Sequence, residues 1–157
     1  MIQRIQSIYL FFATASYVLL FFFSVFSITL EDGAKKVEMN GWQITTTINA
    51  EEPTVETEIQ ILPLVLLSLL ILLSLTTIFF FKKRLLQQKF CRFLLLLGSG
   101  FIVSLVFVYD NLNTTFTGEP TYHYFIALAI LPLFLFLLAN KAIIKDEKLV
   151  RSMDRLR

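Results

Sequence analysis

The chain is poor in the residues that most enzyme chemistry needs. It has one cysteine and one histidine. A lone cysteine, Cys91, excludes an intrachain disulfide and any CxxC redox or zinc motif. His123 has only Asp110 and Glu119 near it in sequence, and one imidazole with two scattered carboxylates does not resemble a preorganised metal site. No metal and no cofactor is expected. No glycine-rich phosphate loop follows a strand-like run. There is no HExxH, no GxSxG and no nucleophile paired with a base.

Charge is missing in particular places. Hydrophobic residues make up 56% of the chain, with 17 phenylalanines, and they gather into four long runs. A soluble domain of this size cannot bury so much apolar surface. Apolar runs of about 20 residues match the thickness of a bilayer. The expected fold is therefore an all-α integral membrane protein, one domain over 1–157, with spans at 7–28, 59–81, 90–109 and 124–144. The first run is longer than a signal-peptide core of about 7–15 residues. Its only A-x-A pattern, Ala13-Thr14-Ala15, lies inside the run, so a retained anchor is expected. The interiors of the runs hold no Asp, Glu, Lys, Arg or His, which argues against ion-coupled transport, proton relays and voltage sensing.

The charges that are present lie asymmetrically between the runs. Arg4 precedes the first. Lys82, Lys83, Arg84, Lys89 and Arg92 stand in the 82–92 loop. Lys141, Lys145, Lys148, Arg151, Arg155 and Arg157 follow the last. That puts twelve of the fourteen basic residues on one side; only Lys35 and Lys36 lie on the other, among nine acidic residues. The positive-inside rule then places both termini in the cytoplasm. An anionic inner leaflet is the expected lipid partner. Nothing points to nucleic acid.

The outer loop 29–58 is long enough to hold structure. Asn40-Gly41 between two β-favouring runs predicts a tight hairpin, with Trp42, Ile44, Thr46 and Ile48 on one face. That face is expected to cap the bundle, with docking of an outer partner as the alternative. "AEEPTVETE" reads as an acidic extended return to the second span. The loop 110–123 reads as short and polar. His123 sits there between Tyr122 and Tyr124, at an aromatic interface belt. Asn113-Thr114-Thr115 fits a glycosylation tripeptide, which arises often by chance. Cys91 is expected to be an inert interfacial thiol.

Two features suggest contacts. Gly98, Gly100 and Ser104 form a small-residue pattern that lets helices approach closely, and Pro132 should kink the fourth span at the carbonyl of Leu128. In the tail 145–157, Leu149, Met153 and Leu156 share a helical face, flanked by Arg151, Asp154, Arg155 and Arg157. A short basic amphipathic helix of this kind would lie along the inner membrane surface or dock on a protein. Arg4 would reach the same side, and an Arg4–Asp154 pair is one way for the two ends to meet.

The opening "MIQRIQSIYL", the four apolar runs and the closing "KDEKLVRSMDRLR" resemble a family of small four-pass inner-membrane proteins from Bacteroidetes. That family is designated only as a domain of unknown function. The resemblance implies a bacterial inner membrane. It brings no activity and no site residues. The function expected from the residues is that of a non-enzymatic accessory or assembly subunit, working through helix packing and its cytoplasmic ends on a membrane protein partner or on a second copy. A binder or carrier of a lipid or other apolar molecule, held near Gly98–Ser104 and Pro132, is the alternative. A headgroup-level enzyme using Asp110, Glu119 and His123 comes third.

Overall fold

The computed structural model describes residues 5–30, 35–48, 54–80, 83–116 and 118–154. The elements run α1 (Ile5–Leu19), β1 (Ser24–Leu30), β2 (Lys35–Asn40), β3 (Gln43–Ile48), β4 (Thr54–Ile59), α2 (Ile61–Phe79), α3 (Arg84–Thr115), β5 (Gly118–Tyr122) and α4 (Ala127–Asp154). A short 3-10 turn, Tyr124–Ile126, leads into α4.

The all-α expectation is corrected here. The described residues pair four helices with a five-stranded antiparallel sheet of order β4-β3-β2-β1-β5. The largest change falls in the first apolar run. Only Ile5–Leu19 of it is helical, about 22 Å at 1.5 Å per residue, and its second half is β1. The physical cause is that β1 is a central strand, paired with both β2 and β5. Val25, Phe26, Ser27 and Ile28 are all buried. A strand covered on both faces has no polar alternation, so in sequence it continues a helical run without a break.

Three helices are long and apolar enough to cross a membrane: Ile61–Phe79, Leu85–Thr115 and Tyr124–Leu149, with mean hydropathies of 2.6, 2.2 and 2.2. They expose large apolar side chains, among them Leu72, Val103, Phe107 and Phe134, each more than 60% exposed. Such a surface requires an apolar surrounding. α1 packs on α2 and α4, and α3 packs on the same two, so the helices form a square. On α3 the inward stripe is Leu94, Gly98, Phe101, Leu105, Val108 and Leu112, spaced by three and four. That stripe carries the helix past Asp110 to Thr115, so most of the expected polar loop is helix and then β5. The expected inner loop 82–92 is likewise helical from Arg84.

The bundle centre is aromatic. Tyr17, Phe101 and Phe136 are fully buried, and the Tyr17 ring lies 6.0 Å from Phe101 and 6.2 Å from Phe136. Lower in the bundle the Thr14 hydroxyl meets Ser74 Oγ at 2.7 Å and ties α1 to α2.

All five strands gather at one end of the bundle, because they lie between α1 and α2 and between α3 and α4. Phe26, Ile28, Val37, Met39 and Ile44 share the sheet face that belongs to the common core. The hairpin turn is displaced by one residue from the expected Asn40-Gly41. The register Met39↔Ile44 leaves Gly41 and Trp42 as its tip. Contact with the bundle decides this. Gly41 N–H donates to Leu20 O at 3.0 Å, and Trp42 Nε1 donates to Phe21 O at 3.3 Å.

Candidate functional site

An apolar cavity lies where α3, α4 and the sheet meet, and it starts from an irregularity in β1. Ser24 pairs with Asn40 and Phe26 with Met39, so Val25 is an extra residue on β1. Such a bulge re-aims side chains. Here the neighbours Val25 and Phe26 both line the same cavity, which successive residues of a regular strand would not do. α3 contributes Ile102, Leu105, Val106 and Tyr109. The 3-10 turn and α4 contribute Ile126, Ala129 and Ile130. The cavity holds about 300 Å³, at the lower end of the ~300–1,000 Å³ usual for small-molecule pockets.

Its polar edge is a pair of tyrosines. Tyr122, on β5, donates its hydroxyl to Tyr109 Oη at 2.7 Å, and the rings are 5.7 Å apart. Phe26 stands edge-on to Tyr109 at 5.0 Å and 90°, which fixes the ring from below. One hydroxyl donates to the other, so one O–H remains for a third group. The cavity wall is almost wholly apolar, with the hydroxyl pair at its rim, so the site can hold an apolar chain. Apart from these two phenols, the lining residues carry no ionisable side chain.

The residues singled out in sequence are dispersed around this cavity. Gly98 is buried, and a Cβ placed on it would stand 2.8 Å from Tyr17 Oη and 2.7 Å from Leu133 Cδ2. Gly100 is exposed, with nothing within 4 Å of its would-be Cβ. Ser104 is buried and donates to Phe101 O at 2.7 Å. Pro132 lies inside α4, which continues to Asp154. None of these four lines the cavity. Trp42 packs against Phe21 with ring centroids 5.8 Å apart, and Ile44 is buried in the sheet.

Asp110 is exposed near the end of α3, and Glu119 belongs to β5. His123 Nε2 lies 3.2 Å from Ser27 Oγ. Among the described residues no group of three or more His, Cys, Asp or Glu converges on a metal-sized site. The tail to Asp154 continues α4 without a break, and Leu149 is about half exposed. Arg151, Met153 and Asp154 share that helix. Arg4, Arg155, Leu156, Arg157 and the Arg4–Asp154 pair lie outside the described residues or side chains.

In sequence Tyr122 reads only as part of an interface belt, and Val25, Phe26 and Tyr109 are not singled out as site residues. For Val25 and Phe26 the signal was the β-favouring composition of "SVFSITL", hidden inside an apolar run.

The family comparison reaches nearly the whole of this architecture. A model described as a domain of unknown function, DUF4293, matches residues 2–156. The chain belongs to that family. No protein in the curated comparison matches it. The DUF4293 chain has a second groove at the end away from the sheet. There Ile5, Gln6 and Tyr9 of α1 meet Leu138, Ala142, Lys145, Asp146 and Leu149 of α4 around about 240 Å³. Beside it, Gln88 Nε2 donates to Glu147 Oε2 at 2.6 Å and links α3 to α4.

Proposed function

We propose that this DUF4293 protein is a non-enzymatic membrane protein that binds one apolar chain in the cavity between α3, α4 and β1. The observation that carries the reading is the cavity itself, almost wholly apolar in its wall, with the Tyr109–Tyr122 hydroxyl pair at one edge. An acyl or isoprenoid tail with a hydrogen-bonding end group fits that chemistry. The proposed setting is a bacterial inner membrane with the sheet on the outer side and both termini cytoplasmic. Among the described residues Lys83, Lys89, Arg92, Lys141, Lys145 and Lys148, at the helix ends away from the strands, support it.

The test is native mass spectrometry of the protein released from mild detergent, wild type beside Val106→Trp. Val106 lines the cavity but is 60% exposed, so an indole there fills the space from its rim. A stoichiometric apolar adduct on the wild type that is absent from the variant is expected. A wild type without such an adduct, or one retained equally by the variant, overturns the reading.

A second reading, an accessory subunit that presents its cytoplasmic ends to a membrane partner, is favoured by the α1–α4 groove. That groove brings the start of α1 beside Lys145 and Leu149. Pull-down with and without residues 145–157 tests it: a partner lost with the tail supports it, and an unchanged partner set removes it.

A further inference from the structure

The two edges of the sheet are built differently. β5 is five residues long and has Pro120 at its centre, which removes one N–H from the strand. β4 runs Thr54–Ile59 in unbroken register with β3, from Gln43↔Ile59 to Ile48↔Thr54, with neither proline nor bulge inside it. All six of its residues are exposed. An edge of this kind is a template for another strand unless it is blocked.

The direction of its main chain follows from one bond. Gln60 N–H donates to Trp42 O at 2.9 Å. In an antiparallel ladder the bonded pairs alternate, so Glu58, Glu56 and Thr54 face β3 with their main-chain groups. The N–H and C=O groups of Val55, Thr57 and Ile59 then point away from the sheet. Glu56 and Glu58 also share one side-chain face, opposite Thr46 and Ile44. In β2 that face carries the buried Val37 and Met39, whereas at β4 it is exposed, so the strand overhangs the bundle. No ion pair is seen at either glutamate among the described residues.

We infer that β4 is a docking edge for an extended basic segment of a partner protein, which adds as a further strand beside Val55–Ile59. Charge selects this occupant. Lysines or arginines at alternate positions of the incoming strand would stand opposite Glu56 and Glu58. A second copy pairing β4 with β4 about a two-fold axis would bring the glutamates of one chain against those of the other. This inference is independent of the apolar cavity.

The test uses the full chain in nanodiscs of zwitterionic lipid. The probe is a fluorescent octapeptide alternating valine or threonine with lysine, read by anisotropy. Its controls are a glutamate-for-lysine peptide and a lysine peptide broken by prolines. The basic peptide should bind and the two controls should not. Thr57→Pro removes an outward N–H without touching the β3 ladder, and it should abolish binding while leaving thermal unfolding near that of the wild type. Glu56→Lys with Glu58→Lys should weaken the basic peptide by about tenfold and admit the acidic one. The proposal is overturned if the proline-broken peptide binds as well as the intact one. It is equally overturned if the doubly charge-reversed protein keeps its preference, or if β4 instead mediates a dimer that Thr57→Pro dissolves.

Discussion

The hydroxyl of Tyr17 on α1 occupies the place that a side chain on Gly98 of α3 would need, 2.8 Å from the would-be Cβ. The two residues lie on diagonally opposite helices of the square, and their contact brings the centre of the bundle together. Leu133 Cδ2 crowds the same point at 2.7 Å. The Tyr17 hydroxyl itself has no hydrogen-bond partner among the described residues.

This relationship predicts coupling. Gly98→Ala should lower stability by about 1–3 kcal/mol, the usual cost of overpacking. Tyr17→Phe removes an unpartnered buried hydroxyl and should be neutral or stabilising. In the Tyr17→Phe background the Gly98→Ala cost should shrink but persist, because Leu133 remains. Thermal unfolding of the four proteins in one detergent gives the double-mutant cycle. Additive effects would mean that Gly98 is not reserved for the tyrosine.

Gly41 should matter for a different reason. A Cβ there would sit 2.9 Å from Leu20 O, a main-chain atom at the end of α1 that cannot swing away. Gly41→Ala should therefore loosen the hairpin tip from the bundle and cost roughly 1–3 kcal/mol. Asn40→Ala, one residue earlier, should cost less. Limited proteolysis of the hairpin, compared across the two variants, checks this; equal protection in both would place the turn where Asn40-Gly41 alone suggests.

Sidedness is testable through the sparse cysteine content. Cys91 is buried, so Cys91→Ser gives a quiet background. Thr57→Cys on β4 should react with a membrane-impermeant maleimide in intact bacterial spheroplasts. Lys148→Cys near the end of α4 should react only after lysis. The reverse pattern would invert the proposed topology.

Parts of this architecture were legible from residue order. α2, α3 and α4 announce themselves because each is an uninterrupted apolar run longer than a strand can use. The hairpin of β2 and β3 was legible too, from Asn-Gly between β-favouring runs, although its turn sits one residue later. β4 was visible only as an acidic extended stretch, and β5 was hidden in a segment that looked like a polar loop.

What the sequence determined by itself is the course of the long apolar helices α2, α3 and α4, together with the uneven spread of charge between the apolar runs. Hydropathy and charge are properties of single residues, so their runs can be read directly. The tertiary structure decided where Leu20–Leu30 leaves the helical path. It placed β1 between β2 and β5, and it set the bulge at Val25 that opens the cavity. These depend on pairings between residues far apart in the chain, such as Ile28 with Val37 and with Pro120. An apolar run buried on both faces has the same composition as a strand or as a helix, and only its neighbours choose between them.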